Sequence, residues 1–214
     1  MTKSMNRITL PLAAAAAASF AFIAAPVAAT TPPAPASAPA PAKAEQLVRV
    51  ALTTTKGRIV LDLDRGRAPI TTANFLHYID SGRFNGIGFY RAMRSGPGGL
   101  IQGGITDDAR KMFPAIAHES TIKTGLKNVA GVIAMANGGP DTARSDFFIM
   151  TSDFPSLDAT ATDAGFAAFG HVVEGMDVAK AILAAPVSPT RGVGAMKGQM
   201  LEPTVKIVKA ERVK

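Results

Sequence analysis

From Leu47 onward the apolar residues come in short runs, each interrupted by glycine, and most alternate with polar neighbours instead of recurring at helical spacing. A chain punctuated so often cannot extend long helices or build alternating strand–helix units. Val48-Arg49-Val50-Ala51-Leu52 and the series Ile59, Leu61, Leu63 flank Thr55-Lys56-Gly57, which reads as an antiparallel hairpin with a glycine turn. The period then changes. Ala68, Thr72, Phe75, Leu76 and Ile79 share one helical face, with Pro69 in the first turn and Gly82 just past the end. Further strands are expected at 89–93, 100–102, 132–136, 147–151, 167–173 and 204–208, and a second helix at 176–184, stopped before Pro186. Closely spaced short strands with only two helices predict a mainly β fold, an antiparallel barrel or sandwich whose open ends the helices plug.

The chain ahead of that unit is different. Lys3 and Arg7 form a basic start, residues 8–29 carry no charge, and Val27-Ala28-Ala29 offers the small residues beside which a signal peptidase cuts. This is the pattern of a secretory leader (1–29), with cleavage expected after Ala29 and the mature protein in the periplasm of a cell with two membranes. An uncleaved anchor is the alternative, because the stretch approaches the length of a membrane span. Pro11, Pro26 and the prevalence of alanine make it a weak one, and no stable membrane insertion is expected after cleavage. Residues 30–43 hold five prolines and five alanines, with nothing periodic to bury, and read as a solvated linker. The folded domain is expected over 44–214.

Conventional catalytic motifs are missing. The chain has no cysteine, which removes disulfides, thiolate metal sites and cysteine nucleophiles. Its formal charge is +7, but bases such as Arg49, Arg58, Arg67, Arg83, Arg110, Lys127 and Arg191 are scattered, the pattern of a solvated surface and not of a nucleic-acid face. His77, His118 and His171 share no metal-ligand spacing. Gly192-Val193-Gly194 meets Lys197 where a dinucleotide fingerprint needs its third glycine, and neither a phosphate loop nor a Gly-x-Ser-x-Gly elbow occurs. Asp107-Asp108 reads as loop carboxylates facing solvent. No metal, cofactor or nucleic acid is expected.

What remains is an arginine inside an aromatic strand (Phe89-Tyr90-Arg91), a Gln102-Gly103-Gly104 turn, Met135-Ala136-Asn137-Gly138-Gly139-Pro140, and Ser145-Asp146-Phe147-Phe148-Ile149. An arginine directly after Phe and Tyr in a strand is either a surface residue or a cation beside an apolar pocket, and Gln102 supplies an amide able to orient it. With Pro69-Ile70-Thr71-Thr72-Ala73-Asn74-Phe75 before them and Phe169 to Val172 after, these motifs stand in the order found in cyclophilin-type peptidyl-prolyl cis–trans isomerases. The sequence resembles that family from about Leu47 to its end, and within it the exported bacterial branch.

The resemblance implies a closed eight-stranded antiparallel β-barrel capped by two α-helices, acting without cofactor, as a monomer, on proline-containing peptides and unfolded exported proteins. It implies that Arg91 donates to the proline nitrogen of a twisted X-Pro amide, that Gln102 positions Arg91 and substrate, and that the Asn137 backbone grips a substrate carbonyl. Phe148 would floor the proline pocket, with Leu100, Met135, Ala136, Gly138, Leu157 and Phe166 as further substrate contacts. The sequence also departs from the family pattern. The stretch between Arg91 and Gln102 is three residues longer than usual and lacks an aromatic, placing Gly99 near its position. Asp146 stands where glutamine is common, Phe166 where histidine or tyrosine is common, and Ser156 at a position often tryptophan in eukaryotic members, so cyclosporin should bind weakly. A looser pocket predicts a slower enzyme; the alternative is a proline-peptide binding module or chaperone with little or no turnover.

Overall fold

The computed structural model describes residues 46–214; the expected leader, the linker and residues 44 and 45 lie outside the described residues. β1 (Leu47–Thr54) and β2 (Gly57–Asp64) form the expected hairpin, paired from Leu47 opposite Asp64 to Thr54 opposite Gly57. Thr54 Oγ1 locks the turn, donating to Gly57 O at 2.8 Å and accepting from Lys56 N at 3.0 Å. Then follow α1 (Pro69–Asp80), β3 (Gly88–Ser95), β4 (Gly98–Gly104), α2 (Thr121–Thr124), β5 (Val132–Met135), β6 (Phe147–Met150), β7 (Ala167–Glu174), α3 (Met176–Leu183), β8 (Val187–Ser188) and β9 (Met200–Arg212).

Eight strands close into an antiparallel barrel in the order β1-β2-β7-β5-β6-β4-β3-β9, with β9 returning to β1. Two-residue β8 stands outside the ring, paired only with the start of β9. Two full helices were expected, and α1 and α3 match them. The four-residue α2 was not foreseen: it is a single turn, capped by the Ser120 side chain and ended by Gly125 in the left-handed conformation. The last strand starts earlier than the expected 204, because Pro203, which has no N–H to give a ladder, hides the pairing of Met200 with Arg91.

Closure leaves one interior, and strand alternation fills it with Leu52, Ile59, Leu61, Phe89, Ile101, Ile133, Phe147 and Ile149, all fully buried. α1 lies against β9, β7 and β2, and α3 against β4, β3 and β2. Phe75 of α1 reaches inward, its ring centroid 5.0 Å from Phe84, 5.1 Å from Phe147 and 5.2 Å from Phe169. Ala68 gives α1 no capping side chain. Buried Glu119 replaces it from a distant loop, its carboxylate accepting from Ile70 N at 3.2 Å and from Thr71 N and Oγ1 at 2.7 Å each.

Because Phe75 joins helix to barrel through three other rings, Phe75→Ala is expected to cost about 3–5 kcal/mol. Denaturant unfolding followed by circular dichroism reads this directly; a loss below about 1 kcal/mol would mean that the plug is not held by that cluster.

Candidate active site

On three adjacent strands, β4, β6 and β5, apolar residues occupy both faces. Ile101, Phe147, Ile149, Ile133 and Met135 point into the barrel, while Leu100, Phe148, Met150 and Ala134 form a second, outer cluster. Apolar residues on the outside of a closed barrel need a cover or form a groove. Here they floor a cleft of about 410 Å³, lined by Arg91, Met93, Leu100, Gln102, Ala136, Asn137, Phe148, Leu157, Phe166 and Met196, a size typical of small-ligand sites.

Cross-strand register explains who meets whom. Met200, Arg91, Gln102, Phe148 and Ala134 are successive lateral partners across β9, β3, β4, β6 and β5, so the guanidinium, the amide and the ring share one row. One irregularity shapes this row. The β3–β4 register passes from Phe89 opposite Gly103 to Arg91 opposite Gln102, so that Tyr90 and Arg91 together face a single partner. This β-bulge keeps Phe89 and Ala92 in the core while Tyr90 and Arg91 both lean toward Gln102.

Arg91 is held by two amides: Nη1 donates to Gln102 Oε1 at 2.9 Å and Nε to Gln199 Oε1 at 2.8 Å. Gln199 is itself fixed, Nε2 donating to Ala195 O at 2.7 Å. Among the described residues Nη2 has no hydrogen-bond partner, and the side chain lines the cleft. Burial draws the Arg91 pKa down, but an arginine starts so high that it stays cationic at neutral pH. Behind it, Gln102 Nε2 donates to Tyr90 Oη at 2.6 Å, Tyr90 Oη donates to Asp146 Oδ1 at 2.6 Å, and Ser145 Oγ to Asp146 Oδ2 at 3.0 Å. Burial, aided by the Asp146 charge, pushes the Tyr90 phenol up; burial also raises the Asp146 carboxyl against the hydrogen bonds from Tyr90 and Ser145.

The structure brings together Arg91, Gln102, Asn137, Phe148, Leu100, Ala136, Leu157 and Phe166. Phe166 stands edge-on to Phe148 at 5.4 Å, and its N–H donates to Leu157 O at 2.9 Å. The Asn137 side chain is tied down at the rim, Nδ2 donating to Gly165 O at 3.3 Å and Oδ1 accepting from Gly139 N at 3.0 Å. Two expected contacts lie elsewhere. Met135 is fully buried in the barrel core, because alternation along β5 turns Ala134 and Ala136 outward and the residue between them inward. Gly138 is exposed beyond the cleft, its N–H donating to Thr142 Oγ1. Met93, Met196 and Gln199 were not foreseen. Met93 follows Arg91 at the two-residue spacing that repeats a face, which the sequence does contain; Met196 and Gln199 arrive from a loop whose path no pattern announces. Gly99 does not replace the missing aromatic, since a Cβ there would sit 2.0 Å from Met93 O. The longer segment instead extends the β3–β4 hairpin, and Arg94 anchors it to the end of α3 by donating to Leu183 O at 3.0 Å and Ala185 O at 2.7 Å. Among the described residues no group of three or more His, Asp or Glu side chains is placed to hold a metal ion.

Fold and cleft define a closed antiparallel barrel that carries its ligand site on the outer wall. Residues 49–212 match the family model described as cyclophilin type peptidyl-prolyl cis-trans isomerase/CLD, and the chain belongs to that family. It is 40% identical over 135 residues to peptidyl-prolyl cis-trans isomerase A of Dickeya dadantii (strain 3937), covering 62% of this chain and 70% of that protein. To a peptidyl-prolyl cis-trans isomerase of Acinetobacter baylyi it is 38% identical over 141 residues, covering 65% and 73%. A crystal structure of a cyclophilin type peptidyl-prolyl cis-trans isomerase from Cryptosporidium parvum shares the fold with a TM-score of 0.64 at 22% identity, covering 78% of this chain and 98% of that one. The same parasite protein has been crystallised in the presence of the dipeptide Ala-Pro (TM-score 0.63).

Since any Cβ at position 99 collides with backbone, Gly99→Ala is expected to destabilise the fold by about 1–3 kcal/mol, the usual cost of overpacking. A thermal midpoint unchanged from wild type would show that the hairpin yields freely there.

Proposed function

We propose that this peptidyl-prolyl isomerase acts outside the cytoplasm on X-Pro bonds of exported, incompletely folded proteins, and that Arg91 stabilises the twisted amide of the transition state. The X-Pro bond resists rotation because amide resonance puts roughly 18–20 kcal/mol in the way. When the bond twists, resonance is lost and the proline nitrogen regains its lone pair, which then accepts a hydrogen bond that the planar amide nitrogen cannot. A cation held rigidly beside that nitrogen therefore binds the transition state more tightly than either ground state.

The arrangement of Arg91, fixed by Gln102 and Gln199 and lining the cleft with Nη2 unpaired among the described residues, is the observation that carries this reading. No bond is made or broken, so the site's task is to hold the proline ring and keep water away. Phe148, Phe166, Leu100 and Leu157 supply an apolar seat for the ring. The Ala136–Asn137 backbone stands at the rim, where it can pair with a peptide passing across, and Ala136 N is itself held by Asp146 O at 2.8 Å. Crystallisation of the parasite relative with Ala-Pro supports proline-containing peptides as the ligand class. The basic, apolar and small-residue succession of 1–29 supports export.

Arg91→Ala is expected to lower kcat/KM for a proline-containing tetrapeptide on the order of 10²–10³-fold, with peptide affinity changed far less. A protease-coupled isomerisation assay measures the first and calorimetry the second. Equal rates for both forms would remove the guanidinium from the mechanism, and negligible turnover by wild type would leave a binding module. Export is tested separately: mass spectrometry of protein recovered from its native cell envelope should find an N-terminus at Thr30, and full-length chain confined to the cytoplasm would overturn that part.

A further inference from the structure

Behind Arg91 lies a chain of side chains with no part in the chemistry described above. Gln102 is an amide, and nothing in its own shape decides which end faces the guanidinium: the oxygen accepts, the nitrogen donates, and the two are alike in size. A reversed amide would set Nε2 against Nη1, two donors facing each other. Arg91, which has donors only, therefore calls for the oxygen on its side, and the far end of the amide must offer its N–H an acceptor to match. An ionised carboxylate can only accept, so Asp146 obliges the Tyr90 hydroxyl to donate to it. That leaves the Tyr90 oxygen to accept, which draws Gln102 Nε2 toward Tyr90 and turns Oε1 to Arg91.

We propose that Tyr90 and Asp146 are positioning residues for the isomerisation, Asp146 locking through the Tyr90 hydroxyl the orientation of the Gln102 amide and with it the aim of Arg91. Three features of the fold converge on this arrangement. The bulge turns Tyr90 and Arg91 toward the same amide, which strict alternation would forbid. Gly104 leaves room for the carboxylate: it has φ +152°, and a Cβ there would lie 2.7 to 2.8 Å from Asp146 atoms. The carboxylate is pinned on both oxygens, by Tyr90 and Ser145, so the acceptor offered to Tyr90 is fixed in place. The inference rests on the reading of Arg91 given above and extends it two side chains deeper.

The test is a kinetic cycle on the isolated protein, with tetrapeptide substrate at several concentrations and folding checked by circular dichroism. Tyr90→Phe is expected to lower kcat about 10–100-fold, as loss of an orienting partner commonly does, with KM changed less than about twofold. Asp146→Asn keeps size but can present either oxygen or nitrogen to the hydroxyl. It should lower kcat in the same sense, and it carries the test if Tyr90→Phe does not fold. In a Gln102→Ala background either substitution should cost less than about twofold more, because the amide it orients is gone. Single variants within about twofold of wild-type kcat, or losses that multiply undiminished in the Gln102→Ala background, would overturn the proposal. Arg91→Ala runs alongside. If it is slow while Tyr90→Phe and Asp146→Asn match wild type, only the relay falls; if Arg91→Ala is as fast as wild type, the reading of the site falls and the relay with it.

Discussion

In an antiparallel pair each residue has one opposite number, and successive side chains take opposite faces. Applied without exception to β3, that rule would place Phe89 and Arg91 on one face and Tyr90 on the other: either the barrel would lose a core phenylalanine or the cleft would lose its cation. The extra residue at the bulge resolves the conflict. Phe89 remains inside against Phe147, their centroids 5.7 Å apart, while Arg91 emerges on the wall and Tyr90 comes out beside it. The register of β3 against β9 breaks at the same point, so both neighbouring strands accommodate the irregularity, and the segment that leads into β9 ahead of the break brings Gln199 to Arg91. Regular alternation on β4, β6 and β5 turns Leu100, Phe148 and Ala134 outward, and only the cation beside them on β3 needs a local exception.

The parts of this molecule that could be read from the sequence are those governed by local rules. Alternation and glycine turns place β1 and β2, the spacing of Phe75, Leu76 and Ile79 places α1, and the ordered motifs place Arg91, Gln102 and Phe148 on neighbouring strands. Met135 shows how far such reading goes. A motif names a run of residues, but only the phase of the strand says which of them faces the ligand, and that phase is set by Ile133 and Met135 packing inward. Met196 and Gln199 mark another boundary. They lie in an irregular loop between β8 and β9, and their proximity to Arg91 exists only once β9 has paired with β3 more than a hundred residues away in sequence. Glu119 is similar: a capping carboxylate supplied from 48 and 49 residues' distance leaves no trace in the sequence around α1.

Two methionines give the cleft a pliable border. Met93 and Met196 line the cleft, the latter on a loop and 39% exposed. Methionine has more rotatable bonds than phenylalanine and a polarisable sulfur, so it conforms to ligands of different outline but surrenders more side-chain entropy on contact. Such a wall favours tolerance of varied residues beside the proline over tight grip on any one sequence. Arg94, bound to the carbonyls at the end of α3, keeps the extended hairpin itself from sharing that freedom. Adaptability is thus confined to side chains while the backbone that sets the aim of Arg91 stays fixed.

That fixity has an electrostatic side. A catalyst that only stabilises a twisted amide gains nothing from a cation free to follow the substrate; the donor must already be in place, so that no reorganisation is spent during rotation. A half-buried guanidinium is costly to hold still, because burial disfavours its charge. Here the cost is shared along the chain from Arg91 to Asp146. A positive group stands at one end and a negative group at the other, and the two neutral links between them, amide and hydroxyl, lie head to tail with each dipole pointing from cation to anion. Every link is polarised by both neighbours in the same sense, which strengthens hydrogen bonds in a low-dielectric setting. The carboxylate anchors the far end of the chain without touching the arginine. A direct Arg91–Asp146 ion pair would occupy the donors that the proposed contact with a proline nitrogen requires; set two side chains back, the carboxylate leaves Nη2 unpaired among the described residues.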